Sequence, residues 1–154
     1  MIRASIRSKE IMPTKLGPPP KASSSHVSKS MKSNKAKGTR PEKTLVRSLR
    51  ALKVASFKIN WNKIPGTPDI CFPENKLAIF VNGCFWHRCP YCKLSLPRSN
   101  RSFWKKKFLR NKTRDRLKKT RLSRMGWKTL TIWECQIKKH LDKTMTKIFK
   151  ALGS

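Results

Sequence analysis

Apolar positions along this chain change period several times, and each change marks an element. Leu45, Val46, Leu49 and Leu52 recur at the spacing of one helical face. Thr39-Arg40-Pro41-Glu42, just before them, has the form of a capping box, with Thr39 at the N-cap and Glu42 at the third helical position. The predicted helix ends near Lys53. Phe57, Ile59 and Trp61 alternate with Lys58 and Asn60, the two-residue period of a half-buried strand. Pro65-Gly66-Thr67-Pro68 reads as a turn, Asp69-Ile70-Cys71-Phe72 as a short strand, and Pro73-Glu74-Asn75-Lys76 as the turn back. Leu77-Ala78-Ile79-Phe80-Val81 is apolar without alternation, which suits a central strand covered on both faces. Phe103 to Met125 is helical in character, with a break predicted near Asn111 and a stop at Gly126. Trp127 to Trp133 reads as another strand, ended by Glu134-Cys135. Ile137, Leu141, Met145, Ile148 and Leu152 mark one amphipathic helix. The order is helix, three strands, helix, strand, helix, which predicts a small α/β domain over 39–154. There is no internal repeat.

The first 38 residues lack such a pattern. They are rich in Ser, Lys and Pro, with Pro18-Pro19-Pro20 and Ser23-Ser24-Ser25. Such a composition predicts a disordered basic arm; an organellar transit peptide has a similar one. Charge then narrows the partners. The chain has 38 Lys+Arg against 7 Asp+Glu, a net charge of +31. Only ten of the basic residues lie in positions 1–40, so the ordered part is itself strongly cationic. A polyanion relieves that repulsion, and nucleic acid is the expected partner. No run of about 18 apolar residues offers a membrane span, and Met1 to Arg7 lacks the apolar core of a secretory signal.

Chemistry concentrates in Gly83-Cys84-Phe85-Trp86-His87-Arg88-Cys89-Pro90-Tyr91-Cys92. Cys84, Cys89 and Cys92 offer three thiolates, and Cys135 after the last strand a fourth. This is the ligand set of a structural zinc site, with Cys89 and Cys92 at the C-x-x-C spacing. The alternative for Cys135 is a buried small apolar residue. Cys71, inside a strand, is expected in the core. An odd number of clustered cysteines fits a metal site in a reducing, cytoplasmic compartment better than a disulfide framework. Asp69 is one of only seven acids. At a strand start it could hold Mg²⁺ with carbonyls and phosphate oxygens, or simply cap the turn after Pro68. His87 could transfer a proton, pack beside the zinc or replace one thiolate.

Several blocks occur together and in order: Pro65-Gly66-Thr67-Pro68-Asp69, Phe80-Val81-Asn82-Gly83-Cys84-Phe85-Trp86-His87, Asn111 with Arg114-Asp115, Gly126-Trp127 and Trp133-Glu134-Cys135. Together they resemble the very short patch repair (Vsr-type) DNA mismatch endonucleases, from about Ser30 to about Ile137. The resemblance implies a restriction-endonuclease-like fold, a small mixed sheet flanked by helices with a structural zinc site. It also implies Mg²⁺-dependent nicking of double-stranded DNA beside a T·G mismatch, by a monomer. In its terms Asp69 is the magnesium ligand, with the Val81 carbonyl beside it, and His87 is catalytic. Glu42 is a supporting acid. Cys84, Cys89, Cys92 and Cys135 hold zinc. Phe85, Trp86 and Trp104 wedge into the base stack. Asn82 departs from the family pattern, which carries aspartate or histidine there. Asparagine can offer an oxygen to a metal, but it brings no charge and no proton.

Between Arg98 and Arg124 lie thirteen Lys/Arg and one acid, Asp115. Such density along one helix is unfavourable unless phosphate lies opposite. Arg101, Lys105, Lys106, Lys107 and Arg110 are the expected backbone contacts, and Asn111 and Arg114 join them through the resemblance. Two other readings stay open: a non-catalytic zinc-stapled DNA-binding module, with Asn82 marking lost chemistry, and a related endonuclease with another DNA target.

Overall fold

The structure, a computed structural model, describes residues 16–22, 24–25, 28–29, 37–54 and 56–153. The arm expected over 1–38 lies mostly outside the described residues.

Helix α1 (Arg40–Ala51) starts where the capping box places it, with Thr39 at the N-cap and Pro41 in the first turn. The Glu42 backbone N–H donates to the Thr39 hydroxyl oxygen, and the Glu42 carboxylate accepts from the Thr39 hydroxyl and the Gly38 N–H, each at 2.7 Å. Leu45 and Leu49 are fully buried. Leu52 is not part of that face. It is the C-cap residue and 57% exposed, because the helix has already ended.

Four strands form one sheet in the order β1-β2-β3-β4. Strand β1 (Lys58–Ile59) and β2 (Ile70–Phe72) are antiparallel, as are β2 and β3 (Leu77–Asn82). Strand β4 (Lys128–Trp133) runs parallel to β3, with Val81 opposite Ile132 and Asn82 opposite Trp133. A parallel neighbour requires a crossover, and α2 (Arg101–Arg124) supplies it. Strand β1 is shorter than the alternation of Phe57, Ile59 and Trp61 predicts. Asn60 takes a left-handed conformation (φ 49°) that ends the strand. Ile59 is consequently exposed, and Trp61 packs on Trp127 with ring centroids 6.1 Å apart.

The period of two in β3 sorts its residues onto two covered faces. Leu77 and Ile79 join Leu45, Leu49, Ile70, Phe72, Ile132, Ile137 and Ile148 in the main core. Ala78 and Phe80 face the other way, against Ile64 and Leu122 of α2. Asn82 continues this second face, so its side chain is directed to the α2 side.

Helix α2 is a single unbroken rod of 24 residues, contrary to the break predicted near Asn111. Its Lys, Arg and Leu are good helix formers, and one asparagine costs only a few tenths of a kcal/mol. Asn111 instead turns inward and is buried. One face of α2 carries Trp104, Phe108, Asn111, Asp115, Lys118 and Leu122 at steps of four and three. Gly126 (φ 77°) stops the rod, with Gly126 N–H on the Ser123 carbonyl and Trp127 N–H on the Leu122 carbonyl.

The last predicted helix is two. Helix α3 (Glu134–Lys139) follows β4 directly, and α4 (Leu141–Leu152) starts after a break at His140 (φ −145°, ψ 54°). The buried Thr144 hydroxyl donates to the His140 carbonyl at 2.9 Å, which helps to close the break. Splitting the run lets α3 hold Cys135 at the strand end while α4 packs Met145 and Ile148 under the sheet.

Candidate active site and metal centre

Asp69 sits just before β2, held from both sides. Its carbonyl accepts the Asn60 N–H at 3.0 Å, and its Oδ2 accepts the Val81 N–H at 2.7 Å. Along a strand the N–H and C=O of one residue face the same edge. The Val81 carbonyl therefore faces the edge on which the Asp69 carboxylate sits. The loop leading in needs a glycine: Gly66 has φ +83°, and a Cβ there would meet the Lys118 Cγ at 2.9 Å.

Burial raises the Asp69 carboxyl from 3.8 to about 6; the Val81 N–H opposes the shift, the Glu42 charge adds to it, and Lys118 and Lys37 oppose it. A carboxyl raised on folding stabilises the fold below its unfolded value. That contribution is lost as pH rises through the folded value. At neutral pH the ionised group therefore costs on the order of 3 kcal/mol. A divalent cation would relieve both causes of the rise, burial and Glu42 repulsion. In magnesium-free, zinc-containing buffer, Asp69→Asn is expected to melt above the wild type at pH 7.5, with the advantage shrinking towards pH 5. Thermal denaturation across that range checks it, and a pH-independent difference would refute the assignment of strain to this carboxyl.

His87 follows a turn at Gly83, where the His87 N–H donates to the Gly83 carbonyl at 3.2 Å. Its Nδ1 meets Asp115 Oδ2 at 2.5 Å, with both side chains partly buried. The pairing leaves Nε2 for other chemistry. In the sequence Asp115 stood in one of the blocks of the resemblance and was the one acid among many cations, but it was given no role. Its place one turn after Asn111 is the signal that could have found it.

Asp69, Val81, Asn82, His87, Glu42 and Asp115 all line one open cleft of about 1350 Å³. Lys37, Arg40, Lys43, Lys107, Arg114 and Lys118 line it too, so a carboxylate-bearing floor lies among cations. Glu42 is 7% exposed, with both oxygens engaged by its own helix start. Asn82 is 8% exposed.

The four predicted cysteines come together. Sγ atoms of Cys84, Cys89, Cys92 and Cys135 lie within 4.8 Å of one another, and those of Cys89 and Cys135 are 3.7 Å apart. Zn–S bonds of about 2.3 Å in a tetrahedron put sulfurs about 3.8 Å apart, so the set fits zinc. The spacing is far too long for a disulfide. Burial pushes the Cys84 thiol up. Burial also raises Cys89, but the N–H groups of Cys92 and Tyr91, together with the Cys135 and Cys92 thiols, outweigh it and leave that thiol lowered. Backbone N–H groups aimed at sulfur are what a metal-binding knuckle provides. Cys71 is core, as expected. His87 is directed to Asp115, away from a ligand role in the cluster. Glu134 joins the two sites: Oε2 accepts the Cys84 N–H at 3.4 Å, Oε1 pairs with Lys138, and the residue lines the cleft.

Phe85, Trp86, Trp104 and Phe108 form an aromatic nest on the first turns of α2. Phe85 lies edge-on to Trp86, Trp104 and Phe108 at centroid distances of 5.1, 5.4 and 5.3 Å. Trp104 is buried and stacked on Phe108, while Phe85 and Trp86 are partly exposed. The Asn111 amide donates to the Trp86 carbonyl at 2.8 Å, so this side chain holds the aromatic loop in place. Arg101, Lys105, Lys106 and Arg114 are exposed along α2, whereas Arg110 is partly buried, with an Nε that has no hydrogen-bond partner among the described residues.

A family model described as "DNA mismatch endonuclease Vsr" matches residues 21–93. "Type II nicking enzyme V.XorIIP" of Xanthomonas oryzae pv. oryzae is 40% identical over 108 residues, covering 70% of this chain and 78% of its own. "DNA mismatch endonuclease Vsr" of Escherichia coli is 33% identical over 123 residues, covering 78% of each. "Type II nicking enzyme V.HpaIIP" of Haemophilus parainfluenzae is 36% identical over 122 residues, 78% of this chain and 85% of its own. The mixed sheet with helices on both faces has the restriction-endonuclease-like arrangement that the sequence led us to expect. Agreement that runs from the capping box through the metal knuckle settles the affiliation: the chain belongs to the Vsr family of DNA mismatch endonucleases.

Proposed function

We propose that this protein nicks one strand of double-stranded DNA beside a T·G mismatch by magnesium-dependent hydrolysis of a phosphodiester. The observation that carries the reading is the single cleft in which Asp69, Val81, Asn82 and the His87–Asp115 pair meet beneath a cationic rim. Relatives named as nicking enzymes and as a mismatch endonuclease support it.

Bound Mg²⁺ would polarise the phosphodiester and stabilise the charge that develops on it. Asp69, oriented by the Val81 N–H, and the Val81 carbonyl would hold that ion. Asp115 fixes the His87 ring through Nδ1 and leaves Nε2 to move a proton at the reacting phosphate. Glu42 acts on Asp69 through its charge, since its oxygens are engaged elsewhere. Asn82, which lines the same cleft, would offer a neutral oxygen. Cys84, Cys89, Cys92 and Cys135 would hold zinc, which would tie the knuckle to the end of β4.

Phe85 and Trp86, backed by Trp104, are the wedge. Inserting an apolar ring between base steps costs roughly a few kcal/mol, and less at a mismatched step. Arg101, Lys105 and Arg114 bind backbone phosphates and set position without reading sequence. One domain carries all these parts, so the protein acts as a monomer.

The test is a strand-labelled duplex with one T·G pair beside its fully matched counterpart, each with and without added Mg²⁺. A nick in one strand of the mismatched duplex, dependent on Mg²⁺, is expected. No nick at any Mg²⁺ concentration would favour the silent DNA-binding module, the reading to which Asn82 points. Equal cutting of the matched duplex would favour an endonuclease with another target.

A further inference from the structure

The cleft contains a cation that the sequence did not single out. Lys118 lies one turn beyond Asp115 on the inward face of α2. Its aliphatic stem runs against Gly66, in the loop that delivers Asp69, and a Cβ on Gly66 would collide with it at 2.9 Å. Its Nζ stands 5.8 Å from the centre of the Phe80 ring. Lys118 lines the large cleft with Asp69 and His87. It also closes a recess of about 10 Å³, the room of a single water, with Phe80, Asn82, Asp115 and Lys119. The stem thus packs against Gly66 and the ammonium head lies over the Phe80 ring, two residues before Asn82 ends β3.

We propose that Lys118 is a catalytic residue: its ammonium group contacts a non-bridging oxygen of the scissile phosphate and provides, beside neutral Asn82, the fixed positive charge of the reacting site. This inference rests on the endonuclease reading above and adds a residue to it. Three features carry it. Asn82 is nearly buried and uncharged, so the end of β3 contributes no charge. Of the two lysines that share the recess with Asn82 and Asp115, Lys118 is the one whose stem packs on the Asp69 loop. It lines the same cleft as Asp69 and His87. A preorganised cation at a developing phosphate charge acts mainly on the rate, unlike the exposed lysines of α2, which act on affinity.

Lys118→Met keeps most of the stem against Gly66 and Phe80 and removes the charge; Lys118→Gln is a second neutral variant, and Lys118→Arg restores charge. Single-turnover nicking of the T·G duplex with Mg²⁺ is measured for each, with DNA affinity, zinc content and melting temperature alongside. Both neutral variants are expected to nick roughly a hundredfold more slowly. Their affinity should change by no more than a few-fold, their zinc content should be unchanged, and Lys118→Arg should recover most of the rate. Neutral variants that nick at the wild-type rate would overturn the assignment while leaving the endonuclease reading intact. So would a loss of affinity as large as the loss of rate, which would make Lys118 an ordinary backbone contact. A wild-type protein that nicks no duplex would remove both readings together.

Discussion

Asp69→Ala is expected to lower single-turnover nicking of a mismatched duplex by at least about a thousandfold, a barrier increase of roughly 4 kcal/mol, while duplex affinity changes only a few-fold. The asymmetry follows from where charge lies. Asp69 is the carboxylate on the cleft floor that Val81 orients, and a divalent ion would have no equivalent ligand without it. Affinity is expected to come instead from cations along α2 and around the cleft. The variant should fold, because it removes a buried ionised group rather than a packing contact. Nicking that survives at more than a tenth of the wild-type rate would end the assignment of Asp69 as metal ligand.

Removing zinc is expected to have the largest effect on stability. The cluster connects the segment after β3, through Cys84, Cys89 and Cys92, to the first turn after β4, through Cys135. In zinc-finger peptides a structural zinc contributes apparent free energies of about 10–16 kcal/mol, as large as the whole stability of a typical domain. Four converging thiolates without an ion repel one another, and burial already resists ionisation of Cys84. A zinc-selective chelator, or Cys89→Ser, should therefore lower the melting temperature by more than about 10 °C and abolish nicking. One zinc per chain by elemental analysis is the companion result. A chelated, zinc-free protein that melts like the native one would show the cluster to be four thiols packed without a metal.

Elements with a strong local signal were legible in the sequence. The capping box at Thr39 and Glu42, the uninterrupted apolar run of β3 and the Gly126 stop all appear as written, because each depends on neighbours within a turn or a pleat. The cysteine cluster was legible for another reason: only a few side chains can form such a ligand set. What failed depends on distant packing. The end of β1 depends on a left-handed Asn60 that no alternation reveals. The break at His140 cannot be read from apolar spacing, since Ile137 to Leu152 keeps helical steps across it. Asn111 looked like a helix breaker because the Trp86 carbonyl it meets is 25 residues away. Asp115 stood in a block of the resemblance without a role, and Lys118 was hidden by charge. On a helix with cations on every side, the inward ones look no different from the rest. The resemblance supplied roles that spacing alone left open for Asp69, His87 and Glu42.

The inward stripe of α2 behaves as a ruler. From Trp104 to Asp115 it covers eleven steps, roughly 16 Å at 1.5 Å each, linking the aromatic nest to the histidine's partner. Inserting or deleting one residue in that stretch would rotate everything beyond it by about 100°, so either the nest or His87 would lose its support. Length there can change only in blocks of about seven residues. Lineages descending from this chain are thus free to vary its loops, but they must tune the long rod letter by letter.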